Sequence, residues 1–203
     1  MKTFFIVAGI LTAMFIALQI YMTMSTNKIE SQPFKVISAY DGFEIRFYPA
    51  ATMAIITSSA KTYKELGSTG FRKLASYIFG GNKDQKQIAM TSPVHMDIND
   101  SVSRMSFVMP SEYTKDNLPQ PNSSEVTLTT VPEEYVAAIR FGGFASGESI
   151  SKNTEMLESY LKKNNISYYG NFRYLAYNPP YQLFGRRNEI VVSVNWDTPT
   201  SSR

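Results

Sequence analysis

From Phe4 to Met24 the chain is apolar almost without a break, FFIVAGILTAMFIALQIYMTM, and no charge falls between Lys2 and Lys28. A run of roughly 20 such residues is long enough to cross a bilayer as a helix. Thr12 and Gln19 are its clearly polar interruptions before Thr23. The alternative is a cleaved secretory signal, which has a shorter apolar stretch and small residues at the cleavage point. Here Gln19, Ile20, Tyr21 and Met22 are large, and no A-x-A pattern follows. Residues 1–24 are therefore expected to be a transmembrane anchor or a signal sequence, and the pattern favours the anchor. Lys2 ahead of the run places the N-terminus in the cytoplasm and the domain of a single-pass membrane protein on the non-cytoplasmic side. Cleavage would instead make the product secreted or periplasmic. STNKIESQP (25–33) is polar, ends in Pro and reads as a linker, and DTPTSSR (197–203) reads as a disordered tail. The folded unit is expected over residues 34–196.

Within that unit the apolar positions alternate in short bursts. FKVISAY (34–40) and FEIRFY (43–48) flank Asp41-Gly42, a strong two-residue hairpin signal. TMAIITSS (52–59) is a further strand. The period then changes: Tyr63, Leu66, Gly70, Phe71, Leu74, Ala75 and Ile78 follow helical spacing. Thr62 and Glu65 fit a capping box at its start, and Gly80-Gly81-Asn82 ends it. QIAMTSPVHMDI (87–98) and VSRMSFVMP (102–110) are extended. After a Pro/Asn/Ser loop (110–124) comes the strand EVTLTTV (125–131), and the earlier order then repeats. YVAAIRFGG (135–143) is a strand, and Ile150, Thr154, Leu157, Tyr160 and Leu161 carry helical spacing. FRYLAYNPPYQL (172–183) and NEIVVSVNW (188–196) are extended. The expected fold is α+β. Two pseudo-symmetric strand–helix–strand–strand repeats form a mostly antiparallel sheet carrying two helices, and the sheet curls or closes to protect its edges.

Composition narrows the chemistry. Among 203 residues there is no Cys and a single His. That excludes disulfides, thiolate metal sites, a Cys nucleophile, covalent c-type haem attachment and a two-His metal site. Net charge is +3, and no dense Lys/Arg stripe suggests nucleic acid. No G-x-S-x-G, P-loop, G-x-G-x-x-G or H-E-x-x-H motif occurs, so an enzyme is not expected. Glu133-Glu134 follows a Pro and reads as a solvated turn; Arg186-Arg187 reads as a solvated loop end or an anion grip. In VHMDI, Val94, Met96 and Ile98 share one face of a strand, and His95 and Asp97 share the other, more polar one. His95 is either a hydrogen-bonded histidine or a ligand contact. Met 10, Tyr 13 and Phe 13 are generous for this length and suit a core or a flat apolar ligand.

DGFEIRFYPA (41–50), FRKLASYIFGGN (71–82), QIAMTSPVHM (87–96), MSFVMPSEY (105–113), LPQP (118–121), AAIRFGG (137–143) and YNPPY…RRNEI (177–190) occur in this order. Any one is weak; together they closely resemble the SOUL haem-binding protein family over nearly all of 34–196. The resemblance implies a distorted, mostly antiparallel β-barrel flanked by two helices. It also implies non-covalent binding of haem b or another tetrapyrrole by a carrier, buffer or sensor held at a membrane or exported. The alternative is a binding module for other apolar small molecules or a protein partner. The site it implies is an apolar groove at the first helix, with cations at the rim. Here that means Tyr63, Phe71, Leu74, Ala75 and Ile78 with Arg72 and Lys73, although the same face could simply pack on the sheet. His95 is the one candidate for an axial iron ligand, and the family's ligation is not uniform.

Overall fold

Asp41-Gly42 turns the chain where the alternation breaks. Gly42 has a φ of 93°, and β1 (Lys35–Ala39) and β2 (Glu44–Tyr48) pair antiparallel on either side of it. A Cβ at this position would meet the Tyr160 ring at 2.7 Å. Conformation and space therefore both call for glycine. The structure is a computed structural model that describes residues 1–26, 28–99 and 102–196; the expected tail lies outside the described residues. α1 (Lys2–Thr26) precedes the hairpin. After it come β3 (Ala51–Ser58), α2 (Tyr63–Ile78), β4 (Val94–Asp97), β5 (Ser103–Val108), β6 (Val126–Val131), β7 (Glu134–Phe141), α3 (Gly147–Lys163), β8 (Tyr168–Ala176) and β9 (Asn188–Val194).

The nine strands form one sheet in the order β1-β2-β7-β9-β8-β4-β5-β3-β6, and every neighbouring pair is antiparallel. The central order is mirrored: β3-β5-β4 on one side, β7-β9-β8 on the other, joined by β4 against β8. The sheet is not closed into a barrel, which corrects the expected closure. Its outer strands are blunted rather than joined: β1 carries a bulge between Val36 and Ser38, and β6 ends at Val131, just before Pro132. Such features protect an open edge without a partner strand.

Both domain helices are capped, α2 at the expected Thr62 and α3 at Ser146, which the spacing alone did not mark. Glu65 N donates to Thr62 Oγ1 at 3.2 Å, and the Glu65 carboxylate accepts from Lys61 N at 3.1 Å, one residue further back than the standard box. Ser146 and Ser149 cap α3 reciprocally. α2 buries Leu66, Gly70, Leu74, Tyr77 and Ile78, while α3 buries Ile150, Leu157 and Leu161. The two apolar clusters they build share Met96 and Ala176 as flanking contacts, so both helices lie on one face of the sheet. A smaller cluster of Tyr48, Val136, Ala138, Leu175 and Val191 occupies the other face.

Two stretches depart from the pattern. The extended run 87–98 is a strand only over Val94–Asp97. Ser92 bonds instead to the segment expected as a linker: Ser92 N donates to Glu30 O at 2.9 Å, and Gln32 N donates to Ser92 O at 2.8 Å. β8 starts at Tyr168 rather than Phe172. Gly170, with φ 71°, and a register irregularity between Tyr169 and Arg173 obscure the alternation there.

Candidate functional site

The residues expected on α2 divide between its core face and its flanks. Leu74 and Ile78 are 0% and 1% exposed and belong to the core. Tyr63, Gly67 and Phe71 stand at i, i+4 and i+8, one line down the helix. Half-buried Ala75 extends that line. Tyr63 packs edge-on against Tyr174 at 5.6 Å, and burial, followed by the Asp97 charge, pushes its phenol up to about 12. Phe71 is 41% exposed while its ring meets Phe107 edge-to-face at 5.3 Å. Between the two rings Gly67 leaves a gap: a Cβ there would touch only the Met96 methyl, at 3.9 Å. Glycine inside a helix costs about 1 kcal/mol relative to Ala, and here it opens an aromatic-walled shelf above Met96. Arg72, next to Phe71, is exposed. Lys73 turns to the other flank and pairs with Glu125.

His95 is not part of that shelf. Val94 and Met96, its neighbours on β4, pack with the α2 cluster, so His95 projects through the opposite face of the sheet. It is buried, not merely on a polar surface, and its Nε2–H donates to Gln32 Oε1 at 2.8 Å. Burial, with the Arg173 charge adding to it, pulls its pKa down to about 3, so the ring is neutral. It lines a groove of about 320 Å³ with Met53, Ile55, Asp97, Arg104 and Arg173. One flat ligand cannot touch both this ring and the α2 shelf, because the sheet lies between them. Among the described residues no group of three or more His, Cys, Asp or Glu is placed to hold a metal ion.

A buried polar network went unseen in the sequence. Glu189 is 0% exposed. Its Oε2 accepts from Arg46 Nη1 and from the Tyr177 hydroxyl, both at 2.8 Å. Its Oε1 accepts from Arg187 Nε at 2.9 Å and Nη2 at 2.7 Å. Arg46 also donates to Glu44 at 2.7 Å. The carboxylate holds the Arg46 guanidinium well above its ordinary range despite the cost of burial. Arg187 is thus committed to Glu189, and Arg186 donates to the carbonyls of Pro179 and Gln182, both at 2.7 Å. Neither is a solvated loop end. Arg46, Arg187 and Arg140 border a groove of about 470 Å³ beside Phe34, Tyr40 and Phe43. The legible trace of this network was two charged motifs, EIRFY within a strand-like run and RRNEI leading into one.

Comparison with known proteins gives a consistent family signal. A family model described as SOUL heme-binding protein matches residues 29–193. Heme-binding protein 2 of Homo sapiens is 31% identical over 156 residues, 73% of this chain and 76% of its own length. Heme-binding protein 1 of Xenopus laevis is 28% identical over 156 residues, 73% of this chain and 81% of its own. Among solved structures, the EcmrR C-terminal domain superposes with a TM-score of 0.57 at 9% identity, covering 76% of this chain and 98% of that one. A hydrolase from Listeria innocua gives 0.54 at 8% identity, covering 75% and 91%. At such identities the likeness is one of fold alone.

Proposed function

The chain belongs to the SOUL heme-binding protein family, and from that membership we propose that it binds haem b or another tetrapyrrole non-covalently, as a carrier, buffer or sensor. The observation that carries the site is the shelf between Tyr63 and Phe71, opened by Gly67 over Met96. A tetrapyrrole is a broad apolar disc with carboxylates at one rim. Aromatic walls suit its faces, and an exposed cation suits its propionates. Tyr63, Phe71 and Ala75 would line the disc, and Arg72 would face a propionate. Leu74 and Ile78 support the wall from within the core. Lys73 is held by Glu125 and would need to swing free. When bound, the group supplies its own redox and spectroscopic properties; the protein side contributes binding and exclusion of water. Nothing on the shelf forms a general acid–base pair, and we read the protein as a binder rather than an enzyme. His95 falls outside this site.

α1, long, apolar and largely exposed, supports a membrane anchor, and Lys2 ahead of the run supports the domain on the non-cytoplasmic side. The mirrored strand order supports two copies of one strand–helix–strand–strand unit.

The test is a hemin titration of the full chain in detergent micelles, followed in the Soret region. The wild type and His95→Ala should both show a saturable one-to-one shift. Gly67→Leu fills the shelf with a better helix former and should lose it. Loss in His95→Ala with retention in Gly67→Leu would move the site to the His95 groove. No saturable shift at all would turn the reading to another apolar ligand or a protein partner.

A further inference from the structure

The loop between β8 and β9 is inside out. Gln182, its central polar residue, is 1% exposed, while Tyr181, Leu183 and Phe184 around it are 59%, 40% and 65% exposed. The polar groups hold the loop together instead of meeting solvent. Gln182 Nε2 donates to Phe184 O at 2.9 Å, and Asn178 Nδ2 donates to Gln182 Oε1 at 3.1 Å. Arg186 ties down the carbonyls of Pro179 and Gln182, and Arg187 N donates to Asn178 Oδ1 at 2.6 Å. Ordering apolar groups in this way is unfavourable in water, because the entropy cost is met while much of their apolar area stays exposed. An apolar phase beside the loop removes the conflict.

The fold places that phase. Gln19, towards the C-terminal end of the apolar run of α1, is turned onto this loop. Its Oε1 accepts from Leu183 N at 3.1 Å, and its Nε2 lies 3.5 Å from Tyr181 O. Phe184 borders a groove lined by Ile16, Gln19, Ile20, Thr23 and Met24. At 1.5 Å per residue, Gln19 stands about 6 Å along the helix from Thr23, near the end of the apolar run. Aromatic and aliphatic side chains at that depth match the boundary between acyl chains and headgroups. A polar amide inside a membrane span is costly unless partnered, and the loop backbone is its partner.

We infer that residues 181–184 dip into the bilayer beside α1, so that the domain rests on the membrane through a second, non-helical contact. The occupant of this apolar surface is lipid. The inference rests on the reading of α1 as a membrane anchor.

The chain has no cysteine, so single-site labelling is direct. Full-length variants Phe184→Cys, Leu11→Cys and Glu155→Cys, each carrying an environment-sensitive fluorophore, would be reconstituted into phosphatidylcholine vesicles containing doxyl-lipid quencher. The expected result is strong quenching at 11 and 184 and none at 155. Quenching at 11 alone would overturn the loop contact and leave the anchor standing. Quenching at neither would overturn both. Adding Gln19→Leu to Phe184→Cys should reduce quenching at 184, while the same change leaves it undiminished at 11. Undiminished quenching at 184 would show that Gln19 does not hold the loop at that depth and would overturn that part of the inference.

Discussion

His95 stays neutral because its burial, helped by Arg173, pulls its pKa down to about 3. An unfolded chain takes up that proton near pH 6.5. The folded protein therefore binds fewer protons in the window between, and stability must fall as pH drops from about 6.5 towards about 3. Above about 6.5 the ring makes no difference to pH dependence. His95→Gln should remove this part of the acid sensitivity. Circular-dichroism melts of the full chain in micelles should show the gap between wild type and variant moving in the variant's favour on acidification. A constant gap from about pH 7.5 to about 4.5 would mean that the ring titrates as it does in water. Strand alternation located His95 off the apolar face, and that was correct. It could not show the burial, because the cover comes from Gln32, 63 positions away. The same holds for Glu189 and Arg46, which are 143 positions apart. A charge in a strand-like run is visible in sequence, whereas the partner that makes its burial tolerable is not.

At the scale of elements, the local signals carried furthest where one residue decides the outcome. Gly42 and Thr62 define a hairpin and a helix start on their own. α3 is a cleaner test of such signals, since Ser146 is exposed and its hydroxyl bonds Ser149 within the cap itself. Ser146→Ala removes the acceptor for Ser149 N and should cost about 1 kcal/mol, read as a lowered denaturation midpoint with an unchanged slope. Restoration by Ser146→Asp would confirm the cap as the cause, and an unaffected midpoint would show that α3 is held by its buried face alone. The expected α2 site was only partly legible for a related reason. Helical spacing marks an apolar stripe, but Leu74, which faces the sheet, and Phe71, which stands at the flank, look alike in it. Gly67 was the sign of the shelf, and in sequence it reads as a weak spot in a helix.

Across the whole molecule, the sheet joins two helix-covered halves through β4 against β8. Leu74 and Leu161 are each fully buried, one under each helix, in separate clusters. Truncating either to Ala should cost about 2–5 kcal/mol, and distant sites should add. One continuous sheet should nonetheless melt in one step. Far-UV and near-UV circular dichroism should give coincident midpoints in both variants, and separate midpoints would show that the halves unfold independently. The element order was legible from strand and helix periods. The open sheet was not, because nothing local distinguishes an edge that is blunted from an edge that is paired.

The strand order also bears on how the protein is made. β9 comes last of the described strands in sequence yet lies in the interior of the sheet, between β7 and β8. A growing chain that has not yet released residues 188–194 presents the facing edges of both neighbours with no strand to fill them. Open edges of that kind invite pairing with other chains. The order of synthesis and the order of assembly therefore run against each other. Most of the described polypeptide must wait for β9 to be threaded home.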